Sequence, residues 1–188
     1  MRLKAKSWVG LLAVVLLVAV MTGCGGPKAD LTIFMSHEYS LPEEKVTALQ
    51  DEINDKLNGE YTVKINASPI YNMQKIMLEY AAAGNGLIVL PKDDIKKYSE
   101  NGGHVALDEY LDPAAYEEGV FEGQLVTKTS EGKFEEKNGK YLFGLPSDKL
   151  PLMEKYGLVD KQWYVAVPST TPSVELSVKV LKLLMEQE

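Results

Sequence analysis

Residues 31–90 read LTIFMSHEYS LPEEKVTALQ DEINDKLNGE YTVKINASPI YNMQKIMLEY AAAGNGLIVL, and this stretch decides the fold. Leu31-Thr32-Ile33-Phe34-Met35 is a short apolar and β-branched run that predicts a buried strand. Pro42-Glu43-Glu44 opens a helix, with proline and acids in the first turn. Val46, Leu49, Ile53 and Leu57 follow at steps of three and four residues, so one face of that helix is apolar until Asn58-Gly59 ends it. Residues 61–67 alternate with a period near two and predict a second strand. Met73, Ile76, Met77 and Tyr80 share one side of a second helix between Tyr71 and Ala83, which Gly84-Asn85-Gly86 stops. Leu87-Ile88-Val89-Leu90, closed by Pro91, is a third strand. Strands alternating with helices through short connections predict βαβαβ units: an α/β fold with an open, mainly parallel sheet flanked by helices.

Beyond this stretch the signals are weaker. Residues 93–100 predict a short helix ended by Asn101-Gly102-Gly103, and residues 104–135 are irregular, with Asp112-Pro113 able to start a helical turn. Asn138-Gly139 stands between residues 134–137 and 140–145 and predicts a tight hairpin there, ended by Pro146. Residues 150–156 predict a short helix and residues 163–167 a last strand. Ser169-Thr170-Thr171-Pro172 offers capping hydroxyls and a proline before a final helix that is amphipathic through Val174, Val178, Leu181 and Met185. Phe34, Tyr61, Trp163 and Tyr164 fall in predicted strands, where packing is their default role.

The first 23 residues carry Arg2, Lys4 and Lys6 and no acid, followed by an apolar run over residues 8–21. A membrane span needs about 20 residues, so this run has the length of a signal-peptide core instead. Met21-Thr22-Gly23-Cys24 resembles a bacterial lipobox, which implies cleavage after Gly23 and acylation of Cys24. An ordinary signal peptide with an incidental cysteine, or an uncleaved anchor, are the alternatives. Cys24 is the only cysteine among 188 residues. An exported chain with one cysteine forms no internal disulfide, and acylation removes an otherwise exposed thiol. Residues 1–23 therefore read as a lipoprotein signal peptide, 24–30 as an acylated tether, and 31–188 as a single α/β domain on the outer face of a cell membrane, held through lipid on Cys24.

Without Arg2, Lys4 and Lys6 the rest of the chain has 17 basic groups against 27 acids, a formal −10. Such a chain is poorly suited to a phosphate backbone, so nucleic acid is not an expected partner. Arg2 is the only arginine, and bidentate grip on carboxylate or phosphate relies on that planar fork. A neutral or cationic ligand fits this composition better.

Ala82-Ala83-Gly84 at a helix end, Gly86–Leu90 as a short strand, and Gly103-His104-Val105-Ala106-Leu107-Asp108 before the next helical turn occur in an order that is informative. With Asn138-Gly139-Lys140-Tyr141-Leu142-Phe143-Gly144-Leu145-Pro146 and residues 169–185, the chain resembles the extracellular solute-binding lipoproteins of bacterial ABC importers, of the sugar-receptor type. The resemblance implies a binding protein for a small neutral ligand such as a carbohydrate, with an importer permease as partner. Two features depart from the family pattern. Leu87 stands near a position where an aspartate is usual. Residues 147–162 alone separate the predicted hairpin from the last strand, too few for a second lobe, so the chain resembles one lobe without its partner.

In open α/β sheets ligands gather at the carboxyl ends of strands. That rule selects Ser36, His37, Glu38 and Tyr39 after the first strand, Ser68, Pro69 and Tyr71 after the second, Lys92 and Asp93 after the third, and Ser169 and Thr170 after the last. Of these, His37, Glu38, Tyr39, Tyr71, Asp93 and Ser169 are the candidate ligand contacts. Tyr39 and Tyr71 can stack on a sugar face, while Glu38 and Asp93 can accept from hydroxyls or bind an ammonium group. His37-Glu38 lacks the second histidine of a zinc motif, and His104, beside glycine, reads as a loop residue. No Gly-x-Ser-x-Gly elbow, Walker loop or paired-cysteine spacing occurs, so neither catalysis nor a cofactor is expected. Two functions remain open. One is solute reception for an importer. The other is a single-lobe protein-interaction or regulatory lipoprotein with no transport role.

Overall fold

The computed structural model describes residues 28–128 and 132–186. The predicted leader and Cys24 lie outside the described residues. In chain order the elements are β1 (Leu31–Ser36), α1 (Glu43–Lys56), β2 (Val63–Ser68), α2 (Met73–Ala81), β3 (Leu87–Pro91) and α3 (Lys92–Ser99). A 3-10 segment (Pro113–Gly119) then leads to β4 (Val120–Lys128), β5 (Phe134–Leu142) and β6 (Gly144–Pro146). A 3-10 turn (Ser147–Lys149), α4 (Pro151–Lys155), β7 (Trp163–Ala166) and α5 (Val174–Met185) complete the chain.

The main sheet has the order β2-β1-β3-β7-β6. β1 pairs with β2 and β3 in parallel, while β7 is antiparallel to both β3 and β6. Four of the five strands thus run one way and β7 alone runs back, which makes the sheet open and mostly parallel, as the alternation of strands and helices predicts. Helices cover both faces. Leu31, Ile33 and Met35 of β1 pack with Val46, Leu49 and Ile53 of α1 and with Leu181 and Leu184 of α5. Phe34 points to the other face, among Ile76 and Tyr80 of α2, Ile95 of α3 and Phe143. This division follows from the period of two in a strand, which sends neighbouring side chains to opposite faces. Burying a leucine or isoleucine side chain stabilises by about 1.5–3 kcal/mol, and Leu49, Ile53, Ile76 and Ile95 are all at most 1% exposed.

The helix ends are set by local chemistry. Asn58 and Gly59 adopt φ of 50° and 76° and turn the chain out of α1, as the sequence indicates. The Asn72 side chain accepts from the Lys75 N–H at 3.0 Å to cap α2. Ser173, rather than the hydroxyls before Pro172, caps α5 by accepting from the Leu176 N–H at 3.2 Å.

One expectation is corrected and another gains detail. Asn138-Gly139 is not a turn: β5 runs straight through it, and β4, which the sequence does not announce, pairs with β5 over its whole length. Gly139 lies opposite Gly123, whose missing side chain makes room for the Phe143 ring, since a Cβ there would meet Phe143 Cε2 at 2.4 Å. A two-residue Asn-Gly turn needs positive φ at both positions, and neither residue has it. His104 lies between the named elements, as expected of a loop residue, but it is buried. It is 2% exposed and bridges to Pro168.

Candidate functional site at the carboxyl edge of the sheet

Because β1, β2 and β3 are parallel, their carboxyl ends lie along one edge, and the reversed β7 brings its amino end to the same edge. Pro91 pairs with Trp163 there. His37, just past β1, is 6% exposed, with its ring 4.3 Å from that of Trp163 and 3.8 Å from that of Tyr39. The Tyr39 N–H donates to His37 Nδ1 at 3.2 Å. A neutral imidazole has one donor and one acceptor nitrogen, so this bond leaves the proton on Nε2. His37 Nε2 lies 3.6 Å from Asp160 Oδ2, to which the Tyr39 hydroxyl donates at 3.4 Å.

Asp160 is held from behind. Its N–H donates to Ser147 Oγ at 3.0 Å, and that hydroxyl donates to the Asp160 carbonyl at 2.9 Å. Its Oδ1 accepts from the Gln162 N–H at 2.8 Å, which leaves Oδ2 turned toward His37 and Tyr39. The Tyr39 ring itself is 61% exposed and offers a free aromatic face.

On the other face of the same edge, the Tyr71 hydroxyl donates to Asp94 Oδ2 at 2.8 Å. Burial, then the bond to Asp94 and its negative charge, push the Tyr71 phenol up to about 12. Asp94 is 7% exposed, whereas Asp93 faces solvent. One residue along a helix turns the side chain by about 100°, and that step separates the carboxylate facing inward from the one selected by sequence. Glu38 is exposed beside this edge. Ser68 donates to the Ile70 carbonyl at 2.8 Å and shapes the loop before Tyr71. Lys92 opens α3 with its Nζ 4.9 Å from the Tyr164 ring centroid.

Ser169 lies elsewhere. As β7 runs antiparallel, its carboxyl end emerges at the opposite edge of the sheet, where the Ser169 N–H donates to the Gly103 carbonyl at 2.9 Å. The edge therefore brings together His37, Glu38, Tyr39, Tyr71 and Asp93, and does not include Ser169. It adds Asp94, Asp160 and Trp163, which sequence reasoning did not select. Asp160 sits 121 residues from Tyr39 in sequence and belongs to no motif.

Two buried side-chain atoms in the described residues have no hydrogen-bond partner, Ser36 Oγ and Trp163 Nε1, and both belong to strand ends at this edge. Buried polar groups are nearly always paired, by protein or by water. Chemically the edge offers an exposed aromatic face at Tyr39 and carboxylate acceptors at Asp94 and Asp160. No group of three or more His, Cys, Asp or Glu able to hold a metal ion occurs among the described residues.

No protein-family model matches the chain, and comparison with characterised proteins returns no match. Among solved structures it is similar to an extracellular solute-binding protein family 1 member from Alicyclobacillus acidocaldarius subsp. acidocaldarius DSM 446. That similarity has 15% identity and a TM-score of 0.41, over 65% of this chain and 28% of that one. It is also similar to CpMnBP1 with mannotriose bound, at 16% identity and a TM-score of 0.36, over 84% of this chain and 39% of that one. The chain thus spans well under half the length of either, and both likenesses concern the path of the backbone alone.

Proposed function

We propose that this chain is an extracytoplasmic binding lipoprotein, anchored to the cell membrane through lipid on Cys24, that takes a small neutral ligand such as a carbohydrate at the carboxyl edge of its sheet. The observation that carries the reading is the pairing of aromatic rings with carboxylates at that edge: Tyr39 and His37 with Asp160, and Tyr71 with Asp94. A sugar presents apolar C–H faces and a rim of hydroxyls, and needs rings to stack on and acceptors around them. A carboxylate has about four acceptor positions, so Asp94 keeps capacity after receiving the Tyr71 hydroxyl. In this reading the protein performs no chemistry and passes its ligand to an importer permease.

A specific observation favours a second reading, that of a protein-interaction lipoprotein without a transport role. Ile70 before α2, and Met77 and Leu78 on it, are 68%, 58% and 68% exposed. Exposed large apolar side chains on one helix and the loop before it are a feature of protein contacts.

A thermal-shift screen of the chain from Pro27 onward, against neutral sugars, oligosaccharides, polyamines and peptides, separates the two. A ligand that binds only the folded state stabilises it by RT ln(1 + [L]/Kd), about 2.7 kcal/mol at one hundred times Kd. A saturable rise with a carbohydrate supports solute binding. An intact fold with no shift at millimolar sugar overturns it and leaves the protein-interaction reading. Palmitate labelling that Cys24→Ser abolishes supports the anchor, and labelling that survives the substitution contradicts it.

A further inference from the structure

β2 is an edge strand, and its free side is only partly closed. Thr62 accepts from the Leu31 N–H through its carbonyl, which places the even-numbered backbone groups of this segment toward β1. Successive backbone groups alternate sides in a strand, so Val63, Ile65 and Ala67 present their N–H and C=O outward. α1 covers the first of these with amide side chains. Asn54 accepts from the Val63 N–H at 2.7 Å and donates to the Val63 carbonyl at 3.0 Å, and Gln50 accepts from the Ile65 N–H at 2.9 Å. The cover stops there. No group among the described residues bonds the Ile65 carbonyl, the Ala67 N–H or the Ala67 carbonyl on this side. At that point a groove of about 360 Å³ runs between β2 and the start of α1, with Leu41, Val46 and Thr47 on one wall and Ile65 and Ala67 on the other.

We propose that this open stretch of β2 takes an extended polypeptide segment with basic side chains, by main-chain pairing. In antiparallel register a single residue of the segment exchanges both of its backbone bonds with Ala67, and the residue two further on donates to the Ile65 carbonyl. Gln50 and Pro69 bound the pairing on either side, so it is short. Charge selects the occupant. Glu43 is the only charged residue lining the groove, and the chain beyond its leader carries a formal −10. A second copy of this chain would bring like charge against like, whereas a lysine-bearing segment places opposite charge beside Glu43.

The test uses the hexapeptide acetyl-Thr-Lys-Thr-Lys-Thr-Lys-amide, with its Thr-Glu counterpart as control, titrated into the isotope-labelled chain at about millimolar concentration. The expected result is saturable movement of the Ile65, Ala67 and Ser68 amide resonances with the lysine peptide and none with the glutamate peptide. Ala67→Pro removes the outward N–H without touching the β1 pairing, a change that edge strands tolerate, and is expected to weaken binding more than about tenfold. Glu43→Gln is expected to weaken it by up to about fivefold, the scale of an exposed ion pair. Hydrogen exchange of the Ala67 amide in the unaltered chain gives a readout independent of either variant, and it slows when the lysine peptide pairs. Unmoved amides, equal binding by Ala67→Pro, or an Ala67 exchange rate indifferent to peptide overturns the proposal. A concentration-dependent dimer that Ala67→Pro abolishes and the peptide does not displace overturns it in favour of a second copy.

Discussion

The Tyr80 hydroxyl and His104 Nε2 lie 2.7 Å apart in the core, and the proton between them belongs to the tyrosine. Ser99 has one hydroxyl proton and donates it to the Ile95 carbonyl at 2.8 Å, so His104 Nδ1, 2.9 Å from Ser99 Oγ, must be the donor there. Nε2 is then an acceptor for Tyr80, and the direction of every bond from Tyr80 to Ile95 is fixed. The chain of bonds ties α2 and α3 to the segment that leads away from the sheet, with the Tyr98 ring stacked 3.9 Å from that of Tyr80.

This arrangement makes stability depend on pH. Burial pushes His104 down to about 3, from an ordinary value of 6.5. The folded state therefore holds it neutral, while the unfolded chain takes up a proton as pH falls below 6.5. Stability from this group is complete above pH 6.5 and is lost as pH falls from there toward 3, at up to about 1.4 kcal/mol per pH unit. Urea melts at pH 7.5 and pH 4.5 should differ by about 2–3 kcal/mol from this source. His104→Gln should be less stable at pH 7.5 and should show a shallower pH slope. An equal slope in the variant would place the pH dependence elsewhere.

Gly119 has no room for a side chain. A Cβ there would stand 1.8 Å from the Gly144 carbonyl oxygen, a backbone atom that cannot swing away. The Phe143 N–H donates to the Gly119 carbonyl at 3.1 Å, so the contact also fixes where β5 passes into β6. Gly119→Ala is expected to cost more than about 3 kcal/mol, in the range of severe overpacking. Chemical denaturation measures it, and a loss under about 1 kcal/mol would show that the two segments separate easily.

Asn54 closes the β2 edge with two bonds to Val63. Asn54→Ala leaves both backbone groups unpaired in a half-buried position and should cost about 1–3 kcal/mol. It also lengthens the open edge, so light scattering on warming should rise earlier than in the unaltered chain. Unchanged melting and scattering would mean that solvent serves Val63 as well as the amide does.

Tyr71 should be among the last tyrosines to titrate. Burial is the larger cause of its raised value of about 12 and Asp94 the next, so Asp94→Asn should lower that value without restoring 10. Ring-carbon NMR of labelled tyrosine follows the titration directly. A Tyr71 value unchanged in the variant would mean that the hydroxyl and Asp94 do not meet in solution.

The first three strands and two helices are legible in residues 31–90 because each apolar period there is uninterrupted and each helix end has its own stop signal. Asn138-Gly139 misleads for a physical reason: the same pair that favours a tight turn also suits a crowded ladder position, where a Cβ on Gly139 would stand 2.9 Å from the Tyr141 hydroxyl, and only the pairing with β4 decides between them. The direction of β7 is set by its partners and not by its own residues, so Ser169 falls at the far edge. Asp94 differs from Asp93 only in helical phase. Asp160 comes from a connection without periodicity and reaches His37 only because Ser147 pins the loop.

The most direct measurement uses Trp163, the only tryptophan besides Trp8, whose ring lies 4.3 Å from that of His37. Its fluorescence, followed during titration with neutral oligosaccharides, reports on the carboxyl edge itself. Ligand binding at that edge predicts a saturable change in emission that Tyr39→Ala and Tyr71→Ala weaken by more than about tenfold, an energy of about 1.4 kcal/mol. Emission unmoved by every sugar at millimolar concentration, or a response that both variants retain in full, would contradict it.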